Sequence, residues 1–180
     1  MIATKAFLTR GVGRHKEKLA SFEAALRQAG IAPFNLVTVS SILPPHCELV
    51  SRTEGLKHLS PGEIVHVVMS QSDSDEPNRQ MAAAVGVAVP KDRAMYGYLS
   101  EHHSYGQSDK ESGNYAEDLA AQMLATILDV DFDPNTNYDS RRKVWKLSEQ
   151  IVQTQHISQS ARGSQTGLWT TVVAACVLVP

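Results

Sequence analysis

Between residues 15 and 29, Leu19, Phe22 and Leu26 recur at spacings of three and four, with lysines and Glu17 on the other side and Gly30 just beyond. That periodicity predicts an amphipathic helix over 15–29 with a glycine at its C-cap. A second stripe, Ala116, Leu119, Ala120, Met123 and Ile127, predicts a helix over 115–128. Elsewhere the apolar residues come in short runs rich in valine and isoleucine, the pattern of buried strands. They predict strands over 2–9, ending at Gly11-Val12-Gly13, and over 34–40, 63–70, 79–89, 94–100, 145–158 and 168–179. Polar loops are expected at 72–77 and 129–138, the latter acidic, and at the Ser/Gly-rich 159–167. Pro90-Lys91-Asp92 reads as a turn and 102–113 as an exposed polar stretch. Two helices and about seven strands, without regular β-α-β alternation, predict one α+β layered domain over residues 1–180.

Composition narrows the partners more than the fold. Apolar residues make up 42% of the 180 and charged residues 20%, ordinary for a globular chain with one proper core. A formal net charge of -2 gives no electrostatic footing for nucleic acid or an anionic membrane. The one dense basic run, Arg141-Arg142-Lys143, reads as a solvated loop or strand edge. No apolar stretch reaches the roughly 20 residues that span a bilayer, and the N-terminus is too short and polar for a secretory signal. Cys47 and Cys176 lie far apart with no Cys-x-x-Cys pair. That fits a reducing cytoplasm and leaves a disulfide open.

The densest chemistry lies in the run Asn35-Leu36-Val37-Thr38-Val39-Ser40-Ser41-Ile42-Leu43-Pro44-Pro45. A β-branched stretch stops at two serines, and two prolines that cannot continue a paired strand follow. The serine pair is expected where a buried strand leaves its sheet. A Ser–Ser peptide in that setting is able to cut itself. The Ser41 hydroxyl attacks the Ser40 carbonyl to form an ester, β-elimination breaks it, and Ser41 becomes a pyruvoyl group. The plainer reading, a polar strand end before a proline turn, accounts for the same residue types, since Ser, Pro and Asn are ordinary in turns. Gly11-Val12-Gly13-Arg14 is too short for a nucleotide fingerprint and reads as a turn before the helix. No loop suited to the phosphate of pyridoxal phosphate is evident.

The segments 22–31 and 35–45, then Ala88-Val89-Pro90-Lys91-Asp92 and Gly97-Tyr98-Leu99-Ser100-Glu101, together resemble the pyruvoyl-dependent arginine decarboxylases. The matches keep the family's order from about Gly11 to the C-terminal strands, and Asn-x4-Ser-Ser-Ile-x-Pro-Pro is the most specific of them. The resemblance implies an αββα four-layer sandwich that cuts itself into a small chain, 1–40, and a larger one, 41–180. It implies decarboxylation of L-arginine to agmatine and carbon dioxide, in polyamine biosynthesis or acid resistance. The cofactor would be a pyruvoyl group derived from Ser41, with no pyridoxal phosphate and no metal. A homotrimer or a multiple of it, with active sites between subunits, is also implied.

Within that resemblance each site residue has a role and a plainer alternative. Ser41 is the nucleophile and pyruvoyl precursor; Ser40 gives the attacked carbonyl and afterwards carries a carboxylate beside the substrate. Glu101 matches the family's catalytic glutamate, the acid that returns a proton to Cα. Burial beside Leu99 would raise its pKa, although a glutamate at a strand end commonly sits in solvent. Asn35 matches an asparagine near the processing and substrate site; its amide either donates to a backbone oxyanion or simply begins the strand. Glu23 falls where the family carries an aspartate on its first helix, and a carboxylate there suits a guanidinium. It equally suits the polar side of the helix.

Two other classes stay open. A non-catalytic domain of the same fold would keep Ser40-Ser41 uncut, and a relative acting on another amino acid would share the serine pair. A thiol or metal hydrolase would use Cys47 with histidines such as His46, His102 and His103. Adjacent histidines on a strand point to opposite faces, so His102 and His103 read as a surface pair rather than as metal ligands.

Overall fold

The first strand, β1 (Lys5–His15), runs straight through Gly11 and Gly13. Its residues alternate, with Ala6, Leu8 and Val12 on one side and Phe7, Thr9, Gly11 and Gly13 on the other. Helix α1 (Lys18–Ala29) lies against the second side. A Cβ on Gly11 would sit 2.1 Å from the Ala25 carbonyl oxygen, and one on Gly13 2.1 Å from that of Ser21. The expected turn is therefore a docking surface: the glycines let helix backbone approach strand backbone, and the strand continues. A computed structural model describes residues 2–128 and 151–180.

After α1 come β2 (Asn35–Thr38), β3 (Ile42–Leu43), β4 (Glu48–Val50), the short α2 (Arg52–Leu56) and β5 (Ile64–Ser74). Then follow β6 (Gln80–Pro90), β7 (Gly97–Tyr105), α3 (Asp109–Ile127), β8 (Ile151–Arg162) and β9 (Trp169–Val179). These elements form one mixed domain with two sheets, ordered β2-β5-β9-β1-β4 and β3-β7-β6-β8. β9 lies antiparallel between β1 and β5, and β2 joins β5 in parallel at the edge.

Three clusters hold the elements together. Ala6, Val68, Val172, Ala174 and Cys176 of the first sheet meet Met81, Val85, Val87 and Leu99 of the second. Ala25 and Ala29 of α1 meet Phe7, Val67, Val173 and Ala175 on the first sheet's other side. Ala120, Ala121 and Leu124 of α3 meet Ala88 and Ile151. β6 is buried along almost its whole length because one face meets the first sheet and the other meets α3. Gly86 serves there as Gly11 does in β1, for its Cβ would lie 2.1 Å from the Ala116 carbonyl oxygen.

The observed elements depart from the sequence pattern in physical ways. The strand expected to be buried before the serines is an exposed edge strand, with Val37 42% accessible, since only β5 flanks it. β5 extends to Ser74 and β7 to Tyr105, through residues whose serines and histidines read as loop. α3 begins at Asp109, six residues before the expected 115, because Ser108 and Glu111 form a reciprocal capping box. Its buried face contains Ala116 and Ala120 as expected but is completed by Gly113, Ala121 and Leu124, leaving Leu119 and Met123 half-exposed. The stretches 129–138, 141–143 and 145–150 lie outside the described residues. Among the described residues no helix is long and apolar enough to cross a membrane.

Candidate active site

The chain changes sheets at Ser40-Ser41. On the upstream side Val39 N–H still donates to the Val67 carbonyl of β5 at 2.9 Å. On the downstream side Ile42 and Leu43 pair with Tyr98 and Gly97 of β7, in the other sheet. The peptide between the serines therefore spans the step from sheet to sheet, with Ser40 exposed and Ser41 half-buried. Leu43 ends its strand where Pro44 and Pro45, lacking N–H donors, follow.

Both carbonyls of the pair are engaged. Ile42 N–H donates to the Ser40 carbonyl oxygen at 2.9 Å, closing a three-residue turn on Ser41. Leu99 N–H donates to the Ser41 carbonyl oxygen at 2.7 Å. A donor fixed on a carbonyl oxygen stabilises the negative charge that would grow there during nucleophilic attack. Ser40 also opens onto a largely apolar cleft of about 380 Å³, lined by Val39, Ile42, Pro44, Pro45, His66 and Leu178 among others.

Glu101 lies two residues beyond Leu99 on β7 and so on the same face; both pair with inward-facing valines of β6, Val85 and Val87. β3 covers the edge of β7 at Gly97 and Tyr98, and among the described residues no strand pairs with that edge at Glu101. The residue is exposed at its surface, yet burial pushes its carboxyl pKa up, with His103 pulling it partly back. A carboxyl held protonated above the usual glutamate range is suited to donate a proton.

The remaining candidates sit apart in a single chain. Asn35 is at the opposite end of β2, five residues before Ser40, and its Nδ2 donates to the Gly62 carbonyl at 2.8 Å. Glu23 lies on the exposed side of α1, where its carboxylate pairs with Arg27 at 2.6 Å. The chain thus gathers Ser40, Ser41 and the Glu101 strand and leaves Asn35 and Glu23 elsewhere. The Arg27 guanidinium engages both oxygens of the Glu23 carboxylate.

His102 turns toward α3, bonding Gln107 Oε1 through Nε2 at 2.9 Å and stacking on Tyr115 at 4.3 Å, while His103 faces the other way. Among the described residues no group of three or more His, Cys, Asp or Glu side chains is placed to hold a metal ion. Burial pushes the Cys47 thiol up to about 11, against the pull of Arg93, which favours the neutral thiol over the nucleophilic thiolate. Sequence reasoning missed the Ile42 and Leu99 donors, which no side-chain pattern reveals. It also missed a half-buried cluster in which Glu117 accepts from Thr154 and pairs with His156, both at 2.7 Å.

The family model described as pyruvoyl-dependent arginine decarboxylase matches residues 5–180. A protein of Chlorobaculum tepidum described as a probable pyruvoyl-dependent arginine decarboxylase is 56% identical over 179 residues, 99% of this chain and 98% of its own. A pyruvoyl-dependent arginine decarboxylase of Methanococcoides burtonii is 55% identical over 99% of both chains. A protein of Methanosarcina acetivorans described as pyruvoyl-dependent arginine decarboxylase 2 is 56% identical over 99% of this chain and 98% of its own.

Proposed function

The chain belongs to the pyruvoyl-dependent arginine decarboxylase family, and from that premise we propose that it cuts itself at Ser40-Ser41 and converts L-arginine to agmatine and carbon dioxide. The observation that carries this reading is the Ser40 carbonyl, held by Ile42 N–H at 2.9 Å at the crossing between sheets. In the cut, Ser41 Oγ bonds to the Ser40 carbonyl carbon while the amide C–N bond breaks and its nitrogen gains the proton. Loss of the Ser41 Cα proton then breaks the Cβ–Oγ bond and releases Ser40 as a carboxylate. Water displaces ammonia from what remains of Ser41, leaving a pyruvoyl group at the head of residues 41–180 and a small chain of 1–40.

Residue 41 is a fitting place for that group, because its carbonyl is already fixed by Leu99 and it lies one residue from an open cleft. When present, the pyruvoyl group supplies the electron sink for the charge left at Cα by loss of carbon dioxide. Glu101, its carboxyl raised by burial, delivers the proton to Cα. The Ser40 carboxylate borders the substrate, while Glu23, exchanging Arg27 for the substrate guanidinium, and Asn35, donating to a backbone oxyanion, serve the cut of a neighbouring subunit. The separation of Glu23 and Asn35 from Ser41 in one chain supports an active site between subunits of a homotrimer or its multiple.

The three core clusters support a helix-sheet-sheet-helix sandwich of four layers as the single domain over 1–180. Cys47 and Cys176, both free and buried, suit a cytoplasmic enzyme of polyamine biosynthesis or acid resistance. Intact mass under denaturing conditions tests the reading, paired with release of labelled carbon dioxide from arginine. Two species dividing after residue 40, the larger beginning with pyruvoyl, are expected. A single uncut chain that releases no carbon dioxide would instead mark a binding domain on this fold.

A further inference from the structure

Arg93 laces the turn after β6 to the loop after β3. His46 N–H donates to the Arg93 carbonyl at 2.9 Å, and the Arg93 guanidinium donates to the Cys47 carbonyl. His46 itself stands at φ 59°, a left-handed conformation that residues other than glycine seldom adopt. Such a backbone persists only where its surroundings impose it. The side chains of Leu43 and Cys47, at either end of this loop, are buried in the cluster between the sheets. Upstream of it, Ser41 is joined to β7 through the Leu99 bond and the two-residue β3.

We propose that Arg93 is a positioning residue that holds residue 41 in place once the chain has been cut. The inference rests on the proposed cleavage at Ser40-Ser41. In the uncut chain residue 41 is tethered on both sides, through β2 to one sheet and through β3 to the other. Cleavage removes the first tether and turns residues 41–47 into an N-terminal segment. Chain ends are poorly ordered unless tied down. Two hydrogen-bonded residues are a weak tie, and the charge-assisted bond from Arg93 to the Cys47 carbonyl anchors the far end of the same segment. Arg93 acts through the backbone and touches no reacting atom.

The test compares the parent with Arg93→Gln, Arg93→Lys and Arg93→Met by intact mass, amide exchange and steady-state kinetics. Arg93→Gln is expected to be cut at the same bond. Its exchange over residues 41–47 should quicken by about tenfold or more, the scale of one lost charge-assisted bond. Protection in β9 should be unchanged, and kcat should fall by about tenfold with a smaller change in KM. Arg93→Lys should recover most of both losses, since it restores the charge. Arg93→Met keeps the aliphatic stem and gives the same comparison if the glutamine variant loses β9 protection. A cut, folded variant without the guanidinium that shows parental exchange over 41–47 and parental kcat would overturn the proposal. A parent that is never cut would remove the reading beneath it, and intact mass alone reports that outcome.

Discussion

Leu99 and Ser41 join the two halves of the proposed chemistry: the Leu99 N–H donates to the Ser41 carbonyl oxygen at 2.7 Å, and Glu101 follows Leu99 on the same face of β7. Two residues of extended strand advance by about 6.5 Å, so the raised carboxyl belongs to the stretch of β7 that fixes the serine pair. One hydrogen bond thus registers the backbone of the proposed nucleophile against the strand that carries the proposed acid.

Ser41→Ala removes the attacking hydroxyl and nothing else from this arrangement. The variant should remain a single chain of 180 residues with no decarboxylase activity. Intact mass decides it, and cleavage at the same bond in this variant would sink the scheme.

Glu101→Gln keeps the size of the side chain and loses the proton. Cleavage should proceed while turnover falls by about a hundredfold or more, the usual contribution of a placed general acid. Near-parental kcat in the cut variant would take Glu101 out of its role.

The pH dependence follows from the same carboxyl. Burial raises its pKa and the charge of His103 lowers it. An acid works while protonated, so kcat should fall as pH rises through the Glu101 pKa, at a pH above the ordinary glutamate range. His103→Gln removes the lowering influence, and the alkaline limb of kcat should move to higher pH. A limb that stays put or moves down would separate His103 from Glu101.

Much of this architecture is legible along the chain, and the failures have a common cause. Phe22 and Leu26 marked α1 and pack partly against the first sheet, but Leu19 of the same predicted stripe is 78% exposed and Ser21, Ala25 and Ala29 form the buried face. The valine-rich runs marked β5, β6 and β9, because burial on a repeating face leaves a periodic trace. His102, Ser104 and Tyr105 lie in a strand despite their polarity, since the pairing of β7 with β6 decides it. Ser40 and Ser41 stood out through residue type and proline context. Their carbonyl donors did not, because Ile42 and Leu99 act through backbone N–H groups that every sequence possesses. Arg93 was hidden for the related reason that its partner is a carbonyl 46 positions away in sequence.

Gly11→Ala tests the reading of Gly-Val-Gly as a docking surface. Its Cβ would fall 2.1 Å from backbone oxygen of α1, and 2.8 Å from the Ala29 nitrogen, so the helix must move. Overpacking of this kind costs about 1–3 kcal/mol or more, read as a lower denaturant midpoint. Unchanged stability would mean that the helix yields freely and that the strand tolerates a side chain there.

Ile42→Pro is the sharpest test of how the cut is promoted. The substitution deletes the N–H that holds the Ser40 carbonyl oxygen at 2.9 Å, while Ser41, Glu101 and Leu99 all remain. Loss of one donor to a developing oxyanion slows such reactions by about a hundredfold to a thousandfold. Cleavage of the variant, followed by mass over hours, should slow by that order. Ile42→Val controls for the altered cleft wall, since it trims the side chain and keeps the N–H. If both variants cut at the parental rate, the Ile42 donor is only a feature of the turn, and stabilisation of the Ser40 oxygen must come from another group.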